Sequence, residues 1–361
     1  MTAIGVSGLV SPSIVAAQAE KKGKTPEEIA AAMARAVAKS KESEGFYSSI
    51  DPLVVTLTTN IKRIRGDKSE KAPWRSATLS YTDAAGKSVV IPTRIRTRGI
   101  WRLKNCEMPP IRLDFQKAQT AGTVFQGIDK PKLVNYCRDN DTFEQYIAQE
   151  AQLYRVYNLL TPASHRARLV KVNYVDSATG KTLASRAAII LEEPDIVAAR
   201  LGGPILKLKG AVADNLDPHH DALLGVFNYM IGNTDFSIAG LHNVELVGLP
   251  DGMAVPIPFD FDFAGAVDTR YATADPKLEI ARVRQRLFRG YCVPAEEYTK
   301  VFDLFKAKKD AIYGLYTDPI GKMLQPKLVE ETLKYFDEFY KTISDPRRAK
   351  NEIIENCLHT G

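Results

Sequence analysis

The chain has 361 residues, of which 45% are hydrophobic and 25% charged, and its formal net charge is +6. This length exceeds that of a usual single domain, so we expect two lobes with full-sized cores. The charge is mild, aromatic residues do not alternate with the arginines, and no nucleic-acid module motif occurs, so we expect no nucleic-acid partner. No apolar run is long enough to predict a transmembrane helix.

The N-terminal segment predicts export. Residues 5–19 read GVSGLVSPSIVAAQA and end in an A-x-A pattern typical of a cleavage site, although no Lys or Arg precedes them. We predict a signal peptide over 1–19 and a periplasmic or secreted protein; a cytoplasmic protein with a frayed tail is the alternative. The capping box T-P-E-E at 25–28 opens an alanine-rich helix, which predicts a helical tether over 20–45.

Residues 46–195 are rich in strand patterns and form the predicted N-terminal lobe. Arg94, Arg96 and Arg98 alternate along one strand and so share one face. This arginine stripe could bind phosphate or an acidic partner, and a solvated face is the alternative. The predicted elements of the lobe are strands at 77–81, 88–96, 111–115 and 132–136, a helix at 141–160, and strands at 168–175 and 185–193.

Residues 196–361 form the predicted C-terminal lobe, which is mainly helical. One β-hairpin interrupts it, with strands at 244–248 and 253–258 joined by the turn residues P-D-G. The predicted helices lie at 216–232, 276–288, 294–317, 325–343 and 346–358. Because strands come first and helices later, the sequence predicts an α+β fold of two lobes.

Four polar residues flank the hairpin, two on each side. Asp235 and Asn243 precede it, and Asp260 and Asp262 follow it within the run FDFDF. The same order of Asp, Asn, hairpin and Asp occurs in the protein-kinase core, where these groups orient the attacking hydroxyl and hold Mg²⁺. The interval from Asp235 to Asn243 is longer than in kinases, so Asn233 is a reserve candidate, and a plain strand with a wet acidic face is the alternative for FDFDF.

A kinase also needs a Lys on a strand and a Glu on the following helix. Lys132 and Glu150 are the predicted ion pair; Lys130 could take the place of Lys132, and Glu144 or Glu150 could simply be solvated. The strand at 185–193 ends near Glu192, where the adenine of a nucleotide would bind. No G-x-G-x-x-G motif is present, and two glycines between 115 and 132 are weak evidence for a phosphate-covering loop.

These motifs together resemble a known family. RTRG at 96–99, KLV at 132–134, the helix at 141–160, ILEEPD, GNTD…HN and PFDFDF are similar to the spore-coat protein H (CotH-type) atypical kinases, over roughly residues 90 to 265. The N-x-D…N…D order also resembles HipA-type kinases. The resemblance implies a two-lobed protein-kinase-like fold and a phosphotransferase that uses ATP with Mg²⁺ or Mn²⁺. It implies Asp235 as the catalytic residue and Asn243 and Asp260 as metal ligands, assisted by Asp262.

The four cysteines are widely spaced and contain no C-x-x-C motif, which argues against zinc. In an exported protein an even number suggests disulfides, and three pairings are possible. We favour Cys292–Cys357, which would tether the end of the chain, together with Cys106–Cys137; in a cytosolic protein all four would be thiols. Of the five histidines, only His242 is expected near the site.

Three functions remain open at this point. The first is an exported kinase of CotH type that phosphorylates protein Ser or Thr residues. The second is an AMP transferase that holds ATP in another orientation on the same carboxylates. The third is a non-enzymatic envelope protein that binds an acidic partner through the arginine stripe.

Overall fold

The computed structural model describes residues 25–51 and 53–360. Its strands are β1 (Leu53–Thr59), β2 (Arg75–Thr82), β3 (Ser88–Thr97), β4 (Ile111–Phe115), β5 (Lys132–Val134), β6 (Ala167–Asp176), β7 (Thr182–Leu191), β8 (Ile205–Leu206), β9 (Val244–Gly248) and β10 (Ala254–Pro258). Its helices are α1 (Pro26–Glu42), α2 (Glu44–Ser48), α3 (Ile61–Gly66), α4 (Trp101–Asn105), α5 (Lys117–Thr120), α6 (Asp141–Leu160), α7 (Pro194–Arg200), α8 (Pro218–Ile231), α9 (Ala295–Gly314), α10 (Pro326–Ser344) and α11 (Pro346–Ala349). Short 3₁₀ turns lie at Ala213–Asn215 and Gly321–Met323, and a π-helical turn lies at Lys350–Ile354.

Seven strands close into a barrel in the order β1-β2-β3-β4-β5-β7-β6. β1 pairs in parallel with β6, and the other neighbouring strands are antiparallel. Alternation along each strand builds the interior: in β3, Ile91, Thr93, Ile95 and Thr97 are buried while Arg94 is exposed. The inward apolar side chains form one core.

A second core joins the barrel to the helices. It is shared by α6, α8, α9 and α10 together with Val134 of β5 and Leu191 of β7. α6 is buried along most of its length, because it packs against both the barrel strand β7 and the helix α9. α8 ends at Gly232, whose φ of 66° lies in the left-handed region that glycine adopts without strain. The chain therefore turns sharply there, into the loop that carries Asp235.

The predicted two-lobed protein-kinase-like fold is wrong. The strand-rich region is a closed, mixed barrel of seven strands. Closure depends on the parallel pairing of β1 with β6, in which Leu53 lies opposite Val170. Hairpins between neighbouring strands leave local turn signals in a sequence, but a pairing over more than a hundred residues leaves none. The sequence pattern therefore predicted the strands and missed how they close.

The helix predicted at 276–288 is also wrong, because this segment consists of turns, bends and extended backbone. The Arg286 guanidinium donates to the carbonyls of Met230 (3.1 Å) and Tyr335 (2.5 Å). The Tyr335 hydroxyl donates in turn to the carbonyl of Arg284, at 3.1 Å. These tertiary hydrogen bonds hold the segment in a non-helical path and override its local propensity.

Helix α1 is held to the body of the protein by ion pairs. Lys39 of α1 lies 3.2 Å from Glu193 and 3.1 Å from Asp195, so this helix is docked on the start of α7. The predicted signal peptide over 1–19 lies outside the described residues. Within the described ranges, no helix combines the length and apolarity that crossing a membrane requires.

Both favoured disulfides, Cys106–Cys137 and Cys292–Cys357, are present. The first joins the end of α4 to the loop before α6. The second joins the loop before α9 to the C-terminal residues. Two disulfides are compatible with an oxidising, extracytoplasmic location.

Candidate functional site

The loop after α8 and the start of the hairpin bring Asp235 and Asn243 together. The Asn243 amide nitrogen donates to the backbone oxygen of Asp235 at 2.8 Å and to its carboxylate at 3.0 Å. His242 Nε2 lies 2.9 Å from the other carboxylate oxygen, and this hydrogen bond, against the effect of burial, raises the pKa of His242. Asp235 is thus fixed from two sides, and the amide oxygen of Asn243 is the atom that could bind a metal.

Asn233, the reserve candidate, shapes this loop. Its side-chain oxygen accepts a hydrogen bond from the backbone of Asp235 at 3.0 Å. Its amide nitrogen donates to Asn228 of α8 at 2.9 Å. Both ends of the buried side chain are therefore engaged within the protein, which favours Asn243 over Asn233 as a ligand.

Asp260 follows β10 directly and is held by α6. Its backbone N–H donates to the Tyr154 hydroxyl at 2.8 Å, and the ring of the next residue, Phe261, packs 4.7 Å from the Tyr154 ring. Its φ of 65° is left-handed, which is uncommon for a residue other than glycine. Asp260 is therefore kept in a strained conformation by its buried neighbours.

Asp262 lies deeper than Asp260. One carboxylate oxygen accepts a hydrogen bond from the Tyr271 hydroxyl at 3.0 Å and lies 3.9 Å from the Arg102 guanidinium. Burial, together with the charge of Asp260, raises the pKa of Asp262 to about 7. A cation bound next to Asp262 would offset this effect and favour the ionised carboxylate.

Glu150 of α6 does not form the predicted ion pair with Lys132. The ion pairs found among the described residues do not include these two. Instead, Glu150 is fully buried and neither carboxylate oxygen has a hydrogen-bond partner in the described chain. Burial, and then the charges of Asp262 and Asp260, raise its pKa well above the ordinary value. The charges of both aspartates therefore act on Glu150.

Lys132 faces the same region from β5. Its ammonium nitrogen lies 4.0 Å from the centre of the Phe259 ring. Burial lowers the pKa of Lys132 to about 8, and the charge of Glu245 is the strongest that opposes this. The carboxylate that stabilises the charged lysine is thus Glu245 on β9, a residue that the sequence analysis did not name as a candidate.

A buried histidine lies beside Glu245. His165 Nε2 lies 3.2 Å from the Glu245 carboxylate, and its Nδ1 lies 3.1 Å from the carbonyl of Glu192. The His165 ring contacts the Phe259 ring edge-on, with centroids 5.8 Å apart. Lys132, Glu245 and His165 are consequently grouped around Phe259, the residue before Asp260.

Glu192, the residue predicted near adenine, is committed elsewhere. Its carboxylate binds Arg166 at 2.7 Å and Arg200 at 2.8 Å. Burial opposes its ionisation, but these two arginines outweigh that effect and lower its pKa. Its backbone N–H donates to Arg166 and its carbonyl faces His165. Glu192 therefore braces the end of β7 and is not part of the site that we assign.

The alternative residues also lie elsewhere. Lys130 is 3.6 Å from Asp114. Glu144 is 3.0 Å from Lys171 and 3.2 Å from Arg186. These partners keep Lys130 and Glu144 engaged elsewhere, whereas the charge of Asp260 acts on both Lys132 and Glu150.

Two arginines complete the group: Arg98, the last residue of the arginine stripe, and Arg102, which follows it in the chain. Arg98 and Arg102 each have a buried Nε atom with no hydrogen-bond acceptor in the described chain. Burial lowers the pKa of Arg98, opposed by the charge of Asp260. We call the whole set the charge cluster: Arg98, Arg102, Lys132, Glu150, Asp260 and Asp262. The period-two run of arginines in β3, continued to Arg98, was the signal that pointed to it.

A cavity of about 450 Å³ opens next to Asp235. Its wall includes Asp235, His242, Phe263, Asp275 and Arg289. The catalytic carboxylate predicted from the sequence therefore borders a space large enough for a side chain of another molecule. The charge of Asp235 also acts on Asp262 of the adjacent acidic run.

The carboxylates of the site suit a metal ion that takes some of its ligands from the protein and the others from a bound substrate. In the described residues, the one group of three acidic, thiol or imidazole ligand atoms within 4.8 Å is Cys292, Cys357 and His359, and its two cysteines are bonded to each other. Asp260 and Asp262 therefore do not form a closed protein cage with a third such residue. Mg²⁺ is commonly held by one or two carboxylates plus phosphate and water oxygens, which fits these residues.

Comparison with known proteins adds no assignment. The chain matches no family model, and no curated protein is significantly similar to it.

Proposed function

We propose that the protein is an ATP- and divalent-metal-dependent phosphotransferase that phosphorylates protein Ser or Thr residues outside the cytoplasm. One observation carries this proposal: in the charge cluster, both carboxylate oxygens of Glu150 and the Nε atoms of Arg98 and Arg102 are buried and have no hydrogen-bond partner in the described chain. An uncompensated buried charge costs on the order of several kcal/mol. A ligand with both a cation and phosphates would satisfy both sets of charges at once.

In this proposal Asp260 is the main metal ligand, and Asp262 and the Asn243 amide oxygen assist it. Lys132, Arg98 and Arg102 bind phosphate oxygens through charge-assisted hydrogen bonds. When bound, Mg²⁺ or Mn²⁺ would neutralise the charge that develops on the transferred group. The similarity of the motif order to CotH-type kinases supports the same assignment.

Asp235 is the proposed catalytic residue. Its hydrogen bonds with His242 and Asn243 hold the carboxylate at the wall of the adjacent cavity. An acceptor hydroxyl that enters this cavity would be oriented by Asp235 and would give up its proton to it. Positioning of this kind supplies most of the catalysis in phosphoryl transfer.

Intact-mass analysis after incubation of the purified protein with Mg-ATP or Mn-ATP tests the proposal. A gain of phosphate in the parent that is absent in Asp260→Ala supports it. A gain of AMP would assign AMP transfer to the same residues instead. If neither modification nor ATP turnover occurs in the parent, the non-enzymatic binding protein is the better description.

A further inference from the structure

Three cations lie side by side on the outer face of the barrel. Arg96 of β3 is directly opposite Arg112 of β4, and Arg112 is directly opposite Lys132 of β5. Residues opposite each other on antiparallel strands project to the same face with Cβ atoms roughly 4.5–5.5 Å apart, and like charges in that arrangement are destabilising. We call Arg96, Arg112 and Lys132 the cation row.

The nearby carboxylates Glu245 and Asp260 act on Lys132, and no ion pair in the described chain includes the two arginines of the row. Arg96 lies over the Trp74 ring at 4.7 Å and Lys132 over the Phe259 ring at 4.0 Å, and neither ring carries a negative charge. No ion pair or hydrogen bond in the described chain involves the Arg112 side chain. The next pair along the same strands is different, because Arg94 is opposite Asp114 and forms an ion pair with it.

The row starts at the charge cluster and leads away from it. Lys132 is the member beside Asp260, and its charge and that of Arg112 act on the same buried region. Adjacent strands are about 4.8 Å apart, so the three residues span roughly 10 Å across two strand spacings. A single phosphate at Asp260 would leave Arg112 and Arg96 without a partner, whereas a chain of phosphates would reach further along the row.

We propose that the cation row binds the polyphosphate chain of the nucleotide, so that the site takes a nucleoside di- or triphosphate and not a monophosphate. This inference rests on the proposed function, because it places one end of the chain at Asp260. The planar guanidinium groups of Arg96 and Arg112 suit phosphate oxygens, to which each can donate two parallel hydrogen bonds.

Calorimetric titration of the full chain with ATP, AMP and inorganic tripolyphosphate tests the inference, with Arg112→Gln as the variant. Arg112→Gln should weaken ATP and tripolyphosphate binding roughly 10- to 100-fold, the size expected for one lost charge-assisted contact. AMP binding should be weak and unaffected. Arg94→Gln is the matched control, since Arg94 lies on the same face but is already neutralised; it should bind as the parent does. Melting temperatures verify that both variants are folded.

The outcomes separate this inference from the proposed function. Equal ATP affinity for Arg112→Gln and the parent overturns the cation row, as does ATP binding without any tripolyphosphate binding, which would mean that adenosine supplies the affinity. Tripolyphosphate binding that depends on Arg112, in a parent that transfers neither phosphate nor AMP, would retain the cation row and overturn the proposed function alone.

Discussion

Two residues of the site have a strained backbone conformation. Asn243 and Asp260 are both non-glycine residues with positive φ, 52° and 65°. Such conformations cost of order 1–3 kcal/mol each and persist only where the surroundings enforce them. Here the enforcing contacts are the Asn243 hydrogen bonds to Asp235 and the Tyr154 hydroxyl at Asp260. Two of the three proposed metal ligands, Asn243 and Asp260, are therefore held in place before any ligand binds.

The two aspartates should respond differently to substitution. Asp260→Ala should lose metal-dependent ATP binding, because it removes the carboxylate nearest to the phosphates. Asp235→Asn should keep binding and lose transfer by about 10²- to 10⁴-fold, the usual contribution of a positioned base. Calorimetry with Mn-ATP and a phosphotransfer assay on both variants make the comparison. Parental transfer by Asp235→Asn would show that Asp235 only shapes its loop.

Glu245 should keep Lys132 charged, and so support ATP binding, although the two residues lie on different strands. Glu245→Gln removes the charge that counters the burial of Lys132, so the pKa of the lysine should fall further below about 8. ATP affinity at neutral pH should then drop about tenfold. A double-mutant cycle with Lys132→Met measures the coupling. If the two effects simply add, Glu245 does not act through Lys132.

At the scale of the secondary-structure elements, helix α8 carries a buried acidic residue whose effect on protein stability can be measured. α8 begins after Asp217, its N-cap, and Asp221 lies one turn further. Asp221 is 1% exposed, and its two carboxylate oxygens have no hydrogen-bond partner in the described chain. Burial, together with the charge of Asp217, raises the pKa of Asp221 from 3.8 to about 7. The helix that leads into the Asp235 loop thus carries a buried acid.

This acid predicts a pH dependence. Because its folded-state pKa is raised, the folded protein holds an extra proton between about pH 4 and 7, and stability falls as pH rises through that window. Asp221→Asn should therefore stabilise the protein at pH 8, by roughly 1–4 kcal/mol, and have little effect at pH 4. Thermal melts at both values check it. An equal shift in melting temperature at both pH values would mean that ionisation is not the cause.

The two disulfides should differ in their effect on ATP binding. Cys106–Cys137 closes a 31-residue separation and anchors α4, the helix of Arg102, while Cys292–Cys357 spans 65 residues near the C-terminus. Replacing either pair with alanines should cost about 2–5 kcal/mol. Only loss of the first should also weaken ATP binding, since it frees Arg102. Melting curves and calorimetry on the two double variants compare them; unchanged ATP affinity without Cys106–Cys137 would contradict this.

At the scale of the whole molecule, the barrel and the helices meet at the charge cluster. Arg98 and Lys132 come from barrel strands or their ends, Glu150 from α6, and Asp260 from the hairpin. No single element contains the site. Its integrity therefore depends on the core that packs α6 between the barrel and the helices.

The sequence by itself determined the local elements of this protein. The helix at 141–160, the hairpin strands around the P-D-G turn and the capping box at 25–28 all form where their patterns predict them. These features depend on side-chain periodicity, turn residues and caps, which act over a few residues. The proximity of Asp235 and Asn243 follows from the same local geometry, because one loop carries both.

Only the tertiary structure decided how the elements combine. The closure of β1 on β6 made a barrel where a two-lobed kinase-like fold was predicted. Packing turned Glu150 towards Asp260 and Asp262 and gave Lys132 a partner on β9, Glu245, in its place. Both outcomes depend on contacts between residues far apart in the chain. Such contacts are selected by burial and charge in three dimensions, and no local pattern encodes them.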